Sequence, residues 1–283
     1  MKGPLKALVK GSSKRNLRAT FARAAAELDE LAGFWIGRER PRPEEAARRS
    51  GWKPDRSDEY CGLCGSTVGP GEASKSGCGS CRRRTLLDTD RIVRLGAYHG
   101  PLREWVRDVK YRRWSAMGEY LGRELGGVLA GLNEIERERA VVIPVPMPWT
   151  RRLLRGIDHT EIIARAVAGV LDAPLARVLA RRHGVPQTQL PRSERRRNAQ
   201  RGMFRRFRFG GWPLEELDLV VVDDVRTTGA TMQAAVRRLR PLRPRRIFGA
   251  VIAVSGDTAR RQREDHHPQK VTLRDRTNRV TQS

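Results

Sequence analysis

The sequence has no run of roughly eighteen apolar residues, the minimum for a membrane-crossing helix. Its basic N-terminus is not followed by the long apolar segment of a secretory signal, so we expect a cytoplasmic protein. Aromatic residues make up only 6% of the chain, but 39% of its 283 residues are apolar, which is enough for a hydrophobic core. We therefore expect one sizeable globular domain with additional segments.

Acidic residues are few beside basic ones: 32 Asp and Glu stand against 57 Lys and Arg, a formal net charge of +25. Part of the excess lies at residues 181–208, where ten arginines and one glutamate give a net +9. A second cluster consists of Arg237, Arg238, Arg240, Arg243, Arg245 and Arg246. Such positive fields attract nucleic acid, phosphorylated metabolites or anionic lipid. A solvated surface that only keeps the protein soluble explains the charge equally well.

Cysteine is scarce, but all four cysteines lie in two close pairs, Cys61-x-x-Cys64 and Cys78-x-x-Cys81. Two such pairs supply the four thiolates of a tetrahedral Zn²⁺ site, and neighbouring glycines let backbone N–H groups turn toward the sulfurs. Four thiolates complete the coordination shell, so we predict a structural zinc site in a small ribbon over residues 58–85. Disulfides are the alternative, which the expected cytoplasmic location disfavours.

The most informative segment is residues 219–231, Leu-Val-Val-Val-Asp-Asp-Val-Arg-Thr-Thr-Gly-Ala-Thr. Its apolar start predicts a strand buried on both faces, and the apolar spacing after Thr231 predicts a helix. The intervening loop then lies at the carboxyl end of the strand, where open α/β sheets bind ligands. Gly229 lets the backbone approach a phosphate, threonines offer hydroxyls, and the helix N-terminus offers N–H groups.

Asp223 and Asp224 need a separate explanation, because carboxylates repel a phosphate. They can accept hydrogen bonds from sugar hydroxyls or hold a hydrated Mg²⁺. Phosphate, vicinal diol and metal together describe a ribose 5-phosphate. The simpler alternative is a buried strand that ends in a capped turn, but two acids, two threonines and a glycine exceed what a cap requires.

Apolar strands alternate with helical patterns along residues 86–256 and predict a parallel, doubly wound α/β sheet with flanking helices. Residues 1–57 form a basic extension, with an amphipathic helix expected within 17–35 and a linker over 38–57. Residues 257–283 are polar and are expected to form a disordered tail.

Residues 219–231 resemble the phosphoribosyl-pyrophosphate (PRPP) motif of the type I phosphoribosyltransferases. The resemblance implies that Asp223 and Asp224, together called the acid pair, hold the ribose hydroxyls, and that Mg²⁺ accompanies PRPP. It also implies that a phosphate loop holds the 5′-phosphate. The residues of this loop are Thr227, Thr228, Gly229, Ala230 and Thr231.

The order of motifs along the chain resembles the ComF family of competence-associated proteins. The ribbon is followed by matching segments at 98–104, 110–112, 143–146, 151–159, 186–190 and 194–198. The resemblance covers about residues 58–255 and implies a type I phosphoribosyltransferase fold behind a four-Cys zinc ribbon, with a partner in the competence machinery. The family usually carries Arg-Gly-Phe-Asn-Gln where this chain has Arg-Gly-Ile-Asp-His at 155–159.

A turn at 143–148 follows a predicted strand, and in phosphoribosyltransferases a loop at this position holds the pyrophosphate. Because prolines lack an N–H group, Val145 and Met147 would be the backbone donors. The alternative is a rigid turn that only shapes the sheet edge. Nearby arginines either close over a pyrophosphate or form the exposed start of a helix. These candidates are Arg151, Arg152 and Arg155.

For other polar and aromatic residues, the sequence gives weaker evidence of a functional role. Lys110 ends an amphipathic helix, where it complements the helix dipole by itself. His99, His159 and His183 have no metal or triad spacing, so we expect structural roles for them. Aromatic residues interleave with arginines at 204–212 and could stack on bases, although packing in a β-hairpin is the favoured alternative.

Two functions therefore follow from the sequence. As an enzyme, the protein would transfer the phosphoribosyl group of PRPP to an acceptor that no segment identifies. As a non-catalytic protein of DNA uptake, it would bind single-stranded DNA through the ribbon and the Arg-rich segment. The residues predicted to contact DNA in that segment are Arg195, Arg196 and Arg197.

Overall fold

The apolar runs and helical patterns form strands and helices in the order that the sequence predicts. The computed structural model describes residues 40–74, 76–83, 88–147, 156–181, 202–206 and 213–255. The helices are α1 (Pro43–Ser50), α2 (Gly79–Arg83), α3 (Gly100–Tyr111), α4 (Ser115–Ala130), α5 (His159–Leu171) and α6 (Ala230–Leu239). The strands are β1 (Arg91–Ala97), β2 (Ala140–Pro144), β3 (Leu179–Arg181), β4 (Met203–Arg205), β5 (Asp218–Arg226) and β6 (Arg246–Val254).

Four of these strands form one parallel sheet in the order β1-β6-β5-β2. In its register, Ala250 of β6 lies between Val93 and Val222, and Ile143 of β2 lies beside Val221. Strands covered on both faces need apolar side chains in both directions, which explains the nearly continuous aliphatic runs of β5 and β6. The sheet confirms the predicted parallel α/β class.

Helices cover both faces of the sheet, so the core has two halves. Helices α3, α4 and α5 pack on one face, and Val222 of β5 points into this half. Helix α6 packs on the other face, where Val221 lies. Because successive side chains of a strand point to opposite faces, the two members of the acid pair, Asp223 and Asp224, also point to opposite faces.

Helices α4 and α5 approach each other closely through glycines of α4. A β-carbon at Gly122 would lie 2.6 Å from the Cβ of Ala166, and one at Gly126 would lie 2.8 Å from the Cβ of Val170. Real side-chain carbons do not approach this closely, so the contact needs glycine at both positions. This contact fixes the position of α5, whose first residue is His159.

Helix α1 lies within residues 38–57, where the sequence predicted a linker. Its basic last turn complements the helix dipole, and Gly51 ends it with φ 65°. Ala47 is buried in the core, and Trp52 packs edge-on against Trp105 with ring centroids 5.4 Å apart. Because these apolar side chains dock on the domain, this part of the chain is not a free linker.

The ribbon covers the outer edge of β1. Ile92 donates its N–H to the carbonyl of Gly62 at 2.5 Å, and Asp55 donates its N–H to the carbonyl of Leu95 at 2.7 Å. An open strand edge presents unpaired donors and acceptors to other chains. The ribbon and the segment before it therefore provide hydrogen-bond partners for part of the edge of the sheet.

The outer predicted segments remain sequence-based expectations. The helix expected within 17–35 and the tail over 257–283 lie outside the described residues. Within the described ranges, none of the helices has the length and apolar character needed to cross a membrane.

Candidate functional site at the carboxyl edge of the sheet

Three donors engage the carboxylate of Asp224 at the end of β5. Its Oδ2 lies 3.0 Å from Nζ of Lys110 and 2.5 Å from Nε2 of His159. Its Oδ1 accepts the backbone N–H of Val225 at 2.5 Å. Burial alone would raise the pKa of Asp224, but Lys110 and His159 together hold this pKa well below its usual range. Asp224 is therefore ionised, with its charge balanced inside the protein.

Asp223 has a different environment on the other face of β5. It is half-buried, and its Oδ1 accepts the backbone N–H of Asp224 at 2.9 Å. Burial, followed by the negative charge of Asp224, raises the pKa of Asp223 to about 7, although Lys110 and Arg181 oppose this shift. Near neutral pH, a ligand or cation that binds the charged form of Asp223 therefore shifts this carboxyl group toward ionisation.

The sequence analysis did not place Lys110 and His159 at the acid pair. Lys110 lies in the last turn of α3, where its charge already has an explanation in the helix dipole. His159 opens α5 behind Asp158, which caps the helix by accepting the N–H of Glu161 at 3.2 Å. The signal that could have found both is their position in two segments of the family resemblance, 110–112 and 151–159.

The phosphate loop connects β5 to the N-terminus of α6. Gly229 occupies the position before the helix with φ 78°, a left-handed conformation that favours glycine. Thr227 and Thr228 are exposed, and the hydroxyl of Thr228 accepts the N–H of Ala230 at 3.3 Å. Thr231 is half-buried in the first turn of the helix. Hydroxyls, a glycine turn and a helix N-terminus thus meet beside the acid pair, an arrangement suited to an anion.

The turn after β2 lies next to β5 at the same edge of the sheet. Val145 is buried, and its N–H donates to the carbonyl of Val222 at 2.9 Å. This N–H group is therefore part of the sheet and does not face a ligand, whereas Met147 is half-buried two residues further on. The three arginines predicted to follow, Arg151, Arg152 and Arg155, lie outside the described residues.

A narrow, mostly apolar cleft of about 10 Å³ adjoins Asp224 on the face of the sheet that α3, α4 and α5 cover. Its lining combines three polar groups with aliphatic side chains. The lining residues are Val106, Val109, Lys110, Leu121, His159, Ile163, Asp224 and Ile252. Apolar walls keep the local dielectric low, which strengthens the attraction between Asp224 and its partners.

The four cysteines form one buried cluster in the ribbon. The Sγ atoms of Cys61 and Cys81 lie 3.6 Å apart, as do those of Cys64 and Cys78, and all four lie within 4.8 Å of one another. These distances exceed the roughly 2.05 Å of a disulfide, and all four cysteines are free. They match the edge of about 3.8 Å that a tetrahedron with metal–sulfur bonds of about 2.3 Å requires. The cluster could therefore hold a metal ion such as zinc.

The turn before the second cysteine pair also fits a metal site. Gly77 has φ 100°, and a β-carbon there would lie 2.6 Å from Sγ of Cys81. Only glycine leaves room for the sulfur at this position and adopts this backbone conformation without strain. The chain is therefore shaped around the sulfur atoms.

Arginines of the second basic cluster are largely engaged within the protein. Arg245 donates twice to the buried Asp218, at 2.9 and 2.7 Å, and Arg240 pairs with Asp90 at 2.9 Å. Further partners are the carbonyl of Met203 for Arg238 and the carbonyl of Glu134 for Arg246. Arg237 and Arg243 are exposed. This cluster therefore presents less charge to a ligand than its sequence suggests.

The first basic segment is only partly described. Strands β3 and β4 pair in antiparallel fashion, with Ala180 beside Phe204. This pairing agrees with the favoured interpretation of Phe204 as part of a β-hairpin, although its side chain is 36% exposed. Arg195, Arg196 and Arg197 lie outside the described residues, so their contact with DNA stays a prediction.

The fold and the site together define a class of protein. A parallel α/β sheet carries an acid pair and a glycine-capped helix N-terminus at the carboxyl end of an inner strand. A small four-cysteine ribbon precedes this domain and covers one sheet edge. This architecture agrees with the fold that the resemblance to type I phosphoribosyltransferases implies.

Comparison with known proteins finds a competence protein among those that this chain resembles. A scan against protein-family models finds no match. The chain is 26% identical over 194 residues to competence protein F of Haemophilus influenzae, and the match covers 67% of this chain and 82% of that protein. This similarity agrees with the resemblance to the ComF family that the sequence motifs indicate. The crystal structure of TT1426 from Thermus thermophilus is 21% identical, covers 52% of this chain and 78% of that chain, and superposes with a TM-score of 0.31, too low to carry further conclusions.

Proposed function

We propose that the carboxyl edge of the sheet binds PRPP or a related ribose 5-phosphate together with Mg²⁺. The observation that carries this proposal is the position of Gly229, which caps α6 with φ 78° directly after the acid pair. The 5′-phosphate would lie at the helix N-terminus, where N–H groups and the positive end of the dipole favour an anion. The threonine hydroxyls would complete its hydrogen bonds.

The acid pair would serve the sugar side of the same ligand. Ionised carboxylates accept hydrogen bonds from ribose hydroxyls, and they are the ligands that Mg²⁺ prefers. Binding of Mg²⁺ or a diol would favour the charged form of Asp223, whose pKa the folded protein raises to about 7. Mg²⁺ would neutralise the charge of the pyrophosphate group.

Transfer of the phosphoribosyl group to an acceptor is the catalytic form of this proposal. The acceptor would attack the sugar carbon that carries pyrophosphate, and pyrophosphate would leave. Both forms are tested by calorimetry with PRPP and Mg²⁺, followed by measurement of pyrophosphate release. A chain that binds neither PRPP nor ribose 5-phosphate would contradict the proposal, whereas binding without release would restrict it to a binding function.

We further propose that the metal held by the four cysteines is structural Zn²⁺. The donor set consists of four sulfur atoms, which complete a tetrahedral shell and suit zinc. Zinc needs reduced thiols, which agrees with the predicted cytoplasmic location. The ribbon would then stabilise the edge of β1 and take no part in chemistry.

A second candidate function is the binding of single-stranded DNA during DNA uptake. It is supported by the net charge of +25 and by the name of the relative, competence protein F. Arg240, Arg245 and Arg246 make contacts within the protein. The proposed DNA contacts are therefore assigned to residues 181–208. Salt-sensitive binding of an oligonucleotide without PRPP-dependent pyrophosphate release would favour this candidate over the enzyme.

A further inference from the structure

We propose that the two adjacent acids have different tasks: Asp223 contacts the ligand, and Asp224 is a positioning residue that joins Lys110 and His159 to the end of β5. This inference rests on the proposed function, because it assigns the two acids to separate parts of the ribose phosphate site. It departs from the expectation that both carboxylates hold the sugar hydroxyls.

The hydrogen bonds of Asp224 are largely used inside the protein. An ionised carboxylate has about four lone-pair positions for donors. Asp224 already receives Lys110 and His159 on Oδ2 and the N–H of Val225 on Oδ1. Its side chain is 12% exposed. One position remains, but the low exposure of the side chain leaves a sugar hydroxyl little access to it.

Asp224 also connects three elements of secondary structure. Lys110 lies in the last turn of α3, and His159 is the first residue of α5. Both side chains are themselves largely buried, at 16% and 4% exposure. Close packing against the glycines of α4 holds α5 in place. The position of Asp224 is therefore coupled to closely packed helices.

Asp223 has more capacity to accept a ligand. Its Oδ1 accepts the N–H of Asp224, and the residue is half-buried, whereas Asp224 is buried. Asp223 points to the face of the sheet on which α6 and the phosphate loop lie. Lys110 and His159 make their ion pairs with Asp224 instead.

The experiment compares single variants by thermal unfolding and by calorimetry with PRPP or ribose 5-phosphate in the presence of Mg²⁺. For Asp223→Asn we expect at least about tenfold weaker binding and an unchanged or higher melting temperature, since this substitution removes a charge that burial disfavours. For Asp224→Asn we expect the melting temperature to fall by about 5–10 °C, because a buried ion pair loses one partner.

His159 allows a rescue test. Gln retains a donor nitrogen for the Asp224 carboxylate, whereas Leu does not. We expect His159→Gln to keep the melting temperature and the affinity near those of the parent, and His159→Leu to lower both. The effects of Lys110→Met and Asp224→Asn on melting temperature should not add in the double variant, since the residues act as one unit.

Asp218→Asn is the matched control for burial of a carboxylate. Asp218 lies at the other end of β5, is buried and pairs with Arg245. We expect this variant to lower the melting temperature without changing ligand affinity. This outcome would show that loss of stability alone does not reduce ligand affinity.

Two results would overturn the inference. One is an Asp224→Asn variant that loses as much affinity as Asp223→Asn while its melting temperature stays unchanged, since Asp224 would then contact the ligand directly. The other is additivity of the Lys110 and Asp224 substitutions. If the parent chain binds neither compound, the proposed function fails together with the role of Asp223, and the double variant still decides the role of Asp224.

Discussion

The guanidinium group of Arg94 donates to the carbonyl of Gly65 at 2.6 Å, which links the sheet to the glycine that follows Cys64. Arg94 is fully buried in β1 and also pairs with Asp55 at 2.7 Å. A β-carbon at Gly65 would lie 2.9 Å from the side chain of Ile92, so the ribbon and the sheet are in close contact. The ribbon is therefore packed as part of the domain.

The first prediction concerns the metal. Protein purified without chelators should contain about one Zn²⁺ per chain, because four thiolates fill one tetrahedral site. Cys61→Ser should lower the zinc content and the melting temperature, while PRPP affinity changes little, since the acid pair lies at the carboxyl edge of β5. Metal analysis and thermal unfolding measure the first two effects.

The control for this metal prediction is Ala73→Ser, which introduces the same residue at an exposed position of the ribbon. It should retain both zinc and stability. Zinc-free parent protein would contradict the proposal of a structural zinc site.

A second prediction concerns the phosphate loop. Thr228→Ala should weaken the binding of PRPP about tenfold or more, because a hydrogen bond to a charged group contributes about 1.5–3 kcal/mol. Thr228→Ser keeps the hydroxyl and should bind nearly as the parent does. Gly229→Val should weaken binding more strongly, since valine is strained at φ 78°. Equal affinity of all four proteins in calorimetry would show that the ligand lies elsewhere.

The contact between α4 and α5 provides a stability prediction. Gly122→Ala should destabilise the protein by about 1–3 kcal/mol, because the new Cβ would overlap the Cβ of Ala166. Gly127→Ala on the same helix should stabilise it by about 0.5–1 kcal/mol, since no atom lies within 4 Å of that Cβ and alanine favours a helix. Chemical denaturation measures both. The same sign for the two changes would contradict the packing described for these helices.

The pKa of Asp223 gives a prediction about pH. Folding raises this pKa from 3.8 to about 7, so between these pH values the folded chain binds a proton that the unfolded chain releases. The contribution of Asp223 to the free energy of unfolding is therefore lost as pH rises through this range. Asp223→Asn cannot titrate, so its stability relative to the parent should increase with pH. Urea unfolding at about pH 5 and about pH 8, without Mg²⁺, tests this, and a constant difference would contradict it.

A fifth prediction concerns nucleic acid. The parent protein should bind single-stranded DNA with little sequence preference, and each neutralised phosphate should contribute roughly −0.7 to the slope of log affinity against log salt. Replacing Arg195, Arg196 and Arg197 together by Ser should flatten this slope. If these side chains contact only phosphate, unrelated sequences should lose similar affinity.

The matched control for DNA binding removes the same charge from exposed positions elsewhere. Ser at Arg48, Arg103 and Arg107 changes the net charge by the same amount. If this control flattens the slope of log affinity against log salt equally, DNA binding depends on overall charge and not on these three positions. Unchanged affinity and slope in the first triple variant would leave the ribose phosphate site as the supported function.

The fold class and the local motifs are predictable from the sequence alone. Continuous aliphatic runs predicted β5 and β6, helical spacing predicted α3, α4 and α5, and the parallel sheet follows from their alternation. The paired cysteines were also sufficient to predict one cluster, which the structure confirms. These features are readable because strand burial, helix periodicity and Cys-x-x-Cys turns depend on residues close together in the chain.

Which distant residues come into contact depends on how the whole chain packs. The tertiary structure brings Lys110 and His159 to one oxygen of Asp224, directs the N–H of Val145 into the sheet, and engages Arg240, Arg245 and Arg246 within the protein. The sequence around a lysine at a helix end or a histidine at a helix start does not indicate whether a carboxylate lies opposite. Their partners depend on how helices pack on the sheet, and that packing is a property of the whole chain rather than of any short segment.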